Sequence, residues 1–255
     1  MSSAPAARIK VFWQPGCTSC LRTKEFLTSQ GIEFESFDVH NDPAGMAELR
    51  ALGARSVPIV ALAGRFTYAQ SLVDVIKFLD LKTKAMEPLA PGQLAARLDV
   101  VLEAAARFTR QFRDERFQLV FRNRNRTAAG IAFHVFRVAQ MGLEASRKIP
   151  LQFEGFNDLP PDAWSAEDIA LWGDGIRAEL HAWWSAEADR ALAYRVPTYY
   201  GMRTMHDVLE RTAWHAAQHT RQLMLILQTY GVEPPRPLTP EDLAGLPLPD
   251  EVWDR

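Results

Sequence analysis

The spacing of apolar residues changes once along this 255-residue chain, between residues 82 and 92, and that change divides it into two kinds of fold. Before it, short apolar runs alternate with amphipathic ones. Ile9-Lys-Val-Phe-Trp13 reads as a buried strand, Pro15-Gly16 as a turn, and Thr18 to about Gln30 as a helix stopped by Gly31. Ile32 to Val39 alternates as a half-exposed strand does, Asp42-Pro43 opens a helix to about Leu52, and Val57 to Leu62 is a strand. Gly64-Arg65 is a turn and Ser71 to Leu81 a last helix, so the expected order is βαβαββα. After Gly92 only long helical periods remain, over about 93–121, 127–147, 165–190 and 204–231. Ser165-Ala-Glu-Asp168 and Thr204-Met-His-Asp207 are capping boxes that mark two of the starts. Four long helices with one long connection, containing Gly155, Pro160 and Pro161, predict a four-helix bundle. The expected division is an α/β domain over 1–84, a linker over 85–92, an all-α bundle over 93–232, and a Pro-rich tail over 233–255 that wraps the surface.

Composition narrows the function classes. With 47% hydrophobic and 24% charged residues the chain can fill a core as a soluble globular protein does. Its net charge of −2 gives no global attraction to nucleic acid or anionic membrane. No apolar run approaches the ~18 residues that a span needs, and the start lacks an apolar signal segment, so a cytoplasmic protein is expected. Both cysteines fall in one Cys17-Thr-Ser-Cys20 motif, which rules out a structural disulfide framework and points to redox chemistry or metal binding.

The position of that motif favours redox chemistry. Cys17 sits where a strand turns into a helix, and backbone N–H groups at a helix start stabilise a thiolate. Cys20, one turn further on, is placed to attack a mixed disulfide on Cys17, which makes the two nucleophile and resolving thiol. Val57-Pro58 follows before a strand. A zinc half-site or an inert pair is the competing reading, and no second CxxC is present to complete a zinc-thiolate centre. With these residues in place, residues 8–81 resemble the glutaredoxin branch of the thioredoxin-like fold. The resemblance implies that Pro58 is cis and lies against the cysteine pair. It also implies that the Val57-Pro58 backbone binds the extended thiol segment of a substrate, with a low-molecular-weight thiol such as glutathione as co-substrate. The chain departs from that family at Tyr68-Ala69-Gln70, where typical glutaredoxins carry Gly-Gly near glutathione.

Three of the six histidines interrupt apolar helical stripes. One stripe runs Val208, Thr212, His215, His219, Gln222/Leu223, Ile226, Tyr230, and the other Ile131, His134, Val138, Met141. His215 and His219, one turn apart, can aim ring nitrogens at a single ion. His206 lies about 180° around the helix from His215 at 100° per residue, and is excluded. His181 and His40 have no partner spacing. Three neutral nitrogen ligands leave a fourth position open, as in catalytic zinc sites; zinc is the expected divalent metal, and imidazole also accepts nickel, iron or copper. Residues 93–232 resemble the DinB-like four-helix bundle, in the superfamily of metal-dependent thiol S-transferases and maleylpyruvate isomerase. That family carries one histidine on its second helix and H-x-x-x-H followed by Arg/Gly-Gln-Leu on its fourth, matched here by His134, His215, His219 and Arg221-Gln222-Leu223. The resemblance implies a metal held by the three histidines, Gln222 supporting a ligand, and an ion that binds a small thiol.

Arg107, Arg110, Arg113, Arg116, Arg122, Arg124 and Arg126 form a basic cluster, read first as a solvated helix face and otherwise as an anion site. No aromatic-basic interleaving supports nucleic-acid binding. Trp164, Trp172, Trp183, Trp184 and Trp214 are expected in the bundle core or a pocket wall. Together these features predict a thiol enzyme: a metal-activated small thiol transferred to an electrophile, and disulfide exchange by the CxxC domain. The partners are then a thiol and an electrophilic or disulfide substrate, with a homodimer as an admissible assembly. The alternative is a redox carrier whose bundle is a structural docking or metal-sensing module.

Overall fold

Short β-branched and aromatic runs build the sheet of the first unit. The structure is a computed structural model that describes residues 8–122 and 126–253. Among them, β1 (Lys10–Trp13), α1 (Thr18–Ser29), β2 (Glu35–Asp38), α2 (Pro43–Ala51), β3 (Ile59–Leu62), β4 (Arg65–Tyr68) and α3 (Leu72–Phe78) follow in the expected order. The strands lie β2-β1-β3-β4, with β1 parallel to β2, antiparallel to β3, and β3 antiparallel to β4. Successive side chains of β1 and β3 enter different cores. Phe12, Ile59 and Ala61 join Cys20, Val39, Leu49 and Val57 on one face. Val11 and Val60 join Leu27, Ala69 and Val75 on the other. Burial of both faces explains why these strands read as continuous apolar runs.

The chain divides into two compact units, Met1–Met86 with Pro249–Arg255, and Glu87–Leu248. The last stretch is therefore not one surface tail. Arg107 donates to the carbonyls of Pro235 and Arg236, and Arg97 to that of Ala244, so this part packs within the helical unit. The backbone N–H groups of Asp250 and Glu251 instead donate to the carboxylate of Glu25 in α1, and Trp253 is buried. Such contacts between residues more than 200 positions apart leave no local periodic trace.

The helical unit contains α4 (Pro91–Thr109), the single turn α5 (Asp114–Phe117), α6 (Ala128–Ser146), a 3₁₀ turn (Glu154–Asn157), α7 (Ala166–Ala186), the hairpin β5 (Arg195–Thr198) and β6 (Gly201–Thr204), and α8 (Met205–Thr229). α8 packs on α4 and α6, and α7 packs on the same two, so the four long helices share one core. Pro91 and Gly92, expected in the linker, form the first turn of α4. Thr127, Ser165 and Thr204 cap their helices, the last two through reciprocal capping boxes.

Two expectations fail here. The helix expected over 93–121 ends at Thr109. Phe108, Phe112, Phe117 and Phe121 are all buried. An unbroken helix at 100° per residue turns Phe117 about 180° away from Phe108, so the break is what lets all four go inside. The β5–β6 hairpin is the second difference, because Pro197 within Arg195-Val-Pro-Thr198 argues against a strand. It sits in a two-stranded ribbon, where Val196 alone is buried. Two glycines mark close helix crossings. A Cβ at Gly142 would lie 2.7 Å from Thr212 Oγ1 across α6 and α8, and one at Gly173 2.4 Å from the Phe136 ring across α7 and α6. No helix among the described residues is long and apolar enough to cross a membrane.

Candidate functional site

Among the described residues, each unit brings together a cluster of reactive side chains. In the first unit, the chain leaves β1 through Pro15-Gly16 and enters α1 with Cys17 as its N-cap, whose Sγ accepts the Cys20 N–H at 3.2 Å. Cys17 and Cys20 are joined in a disulfide with Cα atoms 5.2 Å apart. Cys20 is wholly buried, whereas Cys17 is partly exposed, so only the first sulfur is open to an incoming thiol or disulfide. The Val57-Pro58 peptide is cis, and Val57 shares the apolar cluster of Cys20.

The segment that departs from the glutaredoxin Gly-Gly pattern braces this centre. The Ala69 N–H donates to Pro58 O at 3.0 Å. Gln70 is buried; its Nε2 donates to Val57 O at 3.1 Å, and its Oε1 accepts from Ser19 Oγ at 3.0 Å. Arg22 Nη2 donates to Gln70 O at 2.9 Å, and Thr23 Oγ1 reaches Ala69 O. One amide side chain thus ties the carbonyl before the cis proline to the first turn of α1. In the sequence Gln70 stands out only as a departure, since its role depends on a partner 13 residues before it and another 51 before it.

In the helical unit, α6 contributes His134 and α8 contributes His215 and His219, all buried. One ring nitrogen from each lies within 4.8 Å of the others, and the group includes no carboxylate among the described residues. The two Nε2 atoms on α8 are 3.1 Å apart. Two nitrogens bound to one zinc at about 2.0–2.1 Å stand roughly 3.3–3.4 Å apart in a tetrahedron, so the residues present fit a single small divalent ion. Gln222 Oε1 accepts from His219 Nδ1 at 2.7 Å, which leaves the Nε2 lone pair of that ring facing the other histidines. Aromatic rings wall the centre. Trp214 and Phe156 both stack on His215, at 5.6 and 5.8 Å between centroids, and Phe156 is 6.1 Å from His134. Of the five tryptophans expected in core or wall, only Trp214 is fully buried; Phe133 stacks on half-buried Trp172.

The remaining histidines have other partners. His181 bonds Asp99, His206 bonds the Leu89 carbonyl, and His40 is exposed. The basic cluster disperses on folding. Arg107 serves the 235–236 backbone, Arg110 pairs with Glu167 and Asp174, Arg116 donates to Tyr230 O, and Arg122 lies over Phe121. Arg124 lies outside the described residues. Arg126 turns toward the histidine wall, donating from Nη2 to Phe156 O at 2.9 Å, and burial pushes its guanidinium down to about 10.

Comparison with known proteins bears on the first unit. The glutaredoxin family profile matches residues 9–67. A glutaredoxin-like 8.6 kDa protein of the rubredoxin operon of Clostridium pasteurianum is 30% identical over 73 residues, 28% of this chain and 97% of that protein. The chain belongs to the glutaredoxin family. The glutaredoxin-like protein NrdH of Escherichia coli K12 is 32% identical over 72 residues, 28% of this chain and 88% of its own. The thioredoxin-like protein BC3987, solved as a point mutant, shares 29% identity, covering 29% of this chain and 97% of its own with a TM-score of 0.28. The glutaredoxin unit is thus a thiol-disulfide redox domain with a CxxC pair.

Two residues beside the histidine centre carry no sequence signal of their own. Phe156 sits in the loop between α6 and α7, where no periodicity assigns a face. Arg126 is submerged in a run of similar residues.

Proposed function

We propose that the protein is a two-domain thiol enzyme, in which the helical unit binds a divalent metal and a low-molecular-weight thiol for transfer to an electrophile. The observation that carries this reading is the convergence of His134, His215 and His219, three neutral donors without a carboxylate in one buried centre. When bound there, a divalent ion supplies Lewis acidity that lowers the pKa of a thiol ligand and leaves room for that ligand in its coordination sphere. The chain's own residues do the rest. The Gln222 amide orients His219, the Trp214 and Phe156 rings hold His215 in place, and the apolar wall excludes water from a nucleophile formed there.

In the glutaredoxin unit the working step is disulfide exchange. The Cys17 thiolate attacks one sulfur of a substrate disulfide, expelling a thiolate that takes a proton from solvent. Cys20, deprotonated, then attacks the Cys17 sulfur and expels the second substrate thiolate, so the two electrons lost by the cysteine pair end on the two substrate thiols and the pair is left as the Cys17–Cys20 disulfide. The Val57-Pro58 backbone beside the pair receives the extended thiol substrate.

Metal analysis of the purified chain tests the reading, together with alanine variants of His134, His215 and His219. About one divalent ion per chain is expected in the wild type and none in the variants. Thiol conjugation of an electrophile such as 1-chloro-2,4-dinitrobenzene should vanish with the ion, while reduction of a small disulfide persists. Cys17→Ser should reverse that pattern. Conjugation that survives both chelation and the histidine variants refutes the transferase, and leaves a redox carrier with an accessory helical unit.

A further inference from the structure

The proposed chemistry makes no use of the cations set around Phe156. Arg126 precedes the N-cap of α6, and its stem lies over Gly130, where a Cβ would stand 2.7 Å from Arg126 Cγ. Gly130 is one turn before His134, so the glycine leaves space for this stem along the helix toward the histidines. The guanidinium reaches Phe156 O through Nη2, and its Nη1 is buried with no hydrogen-bond partner among the described residues. By contrast, Arg110 pairs with Glu167 and Asp174, and Arg137 with Glu144 and Asp158. A second cation comes from α8. Arg211, one turn before His215 and 6% exposed, lies 4.6 Å over the Phe156 ring and donates to Tyr199 Oη at 3.1 Å. Burying a guanidinium costs free energy that a single carbonyl offsets poorly, and an anion with two oxygens offsets far better.

We propose that Arg126 and Arg211 form an anion subsite around Phe156 that takes a carboxylate of the ligand, so that the thiol bound in the helical unit is a carboxylate-bearing one. The thiol half of this statement rests on the reading under Proposed function; the carboxylate half rests on the two arginines alone. The charges agree: three neutral imidazoles with a divalent ion and two guanidiniums favour a ligand carrying both a thiolate and a carboxylate. Each planar guanidinium can present paired N–H donors to a carboxylate, which a lysine cannot match.

The test uses the full chain loaded with cobalt(II), whose absorption reports a sulfur ligand, and titrates 3-mercaptopropionate and 3-mercapto-1-propanol. Mercaptopropionate should bind at least about tenfold more tightly, the span of a charge-assisted hydrogen bond. Arg126→Gln and Arg211→Gln should each bring that ratio toward unity while leaving mercaptopropanol affinity unchanged. Should Arg126→Gln fail to fold, Arg126→Lys carries the same test, with an intermediate ratio expected. A ratio near unity in the wild type, or one unmoved by both arginine variants, overturns the subsite. If neither thiol alters the cobalt spectrum, the metal-thiol reading fails instead. Calorimetry with propionate then decides the subsite: binding lost in Arg126→Gln supports it, and no binding refutes it.

Discussion

Gly142 tests whether the spacing of α6 and α8 sets the histidine centre. It lies two turns beyond His134 on α6 and faces Thr212, three residues before His215 on α8. A methyl group at 142 would meet Thr212 Oγ1 at 2.7 Å, Cγ2 at 3.0 Å and Cβ at 3.3 Å. Carbon contacts are favourable at about 3.5–4.0 Å, so the helices must part locally by about 0.5–1 Å. Rotation of Thr212 brings little relief, because both branches of its Cβ are in the contact and every staggered χ1 leaves at least one heavy atom there. Such overpacking costs about 1–3 kcal/mol, against about 0.8–1.0 kcal/mol gained by alanine over glycine inside a helix. Gly142→Ala should therefore destabilise the helical unit by roughly 0–2 kcal/mol in urea unfolding of metal-free protein, and weaken metal binding in a chelator competition. Thr212→Ala removes the Oγ1 and Cγ2 contacts and leaves only the 3.3 Å contact to Cβ, so Gly142→Ala in that background should become near neutral, or stabilising by up to about 1 kcal/mol, and recover metal affinity. Zero coupling in both measurements would refute the reasoning, since it would mean that the crossing distance does not control the site.

Gln70→Ala should cost about 1–3 kcal/mol in urea unfolding, because it strips the buried Val57 carbonyl and Ser19 hydroxyl of a shared partner. It should also lower kcat/KM for a small disulfide; an unchanged value would show that the brace does not position the proline loop. Gln222→Ala should weaken metal binding by about 10–100-fold in competition with a chromophoric chelator, as it removes the group that orients His219. Burial raises the Asp99 pKa, but hydrogen bonds from Arg177 and His181 outweigh it and hold the carboxyl below the usual range. Its stabilising contribution is therefore present above the unfolded value of about 3.9 and lost as pH falls through the lower folded value. Asp99→Asn should flatten that acid limb in thermal melts; a limb of unchanged steepness would count against the assignment.

Local signals in this chain are the readable ones. Ser165 and Thr204 announce their helices because a capping box needs partners only three residues apart. His215 and His219 share a face because one helical turn separates them. The α4 break is hidden because apolar spacing near Phe108 continues a helix, and only the need to bury Phe117 and Phe121 together contradicts it. The role of Gln70 is hidden because its side chain joins two segments distant in sequence.

By itself, then, the sequence determined the two kinds of unit, the CxxC at a helix start, and which histidine faces are apolar. Those follow from periods of two and 3.6 residues, which act over a few neighbours. Tertiary structure decided which distant groups meet: His134 with the α8 pair across a helix crossing that comes close at Gly142, Gln70 with Val57, and Arg126 with Phe156. Such meetings depend on how buried surfaces pack against one another at close range, and one-dimensional spacing carries no record of that distance.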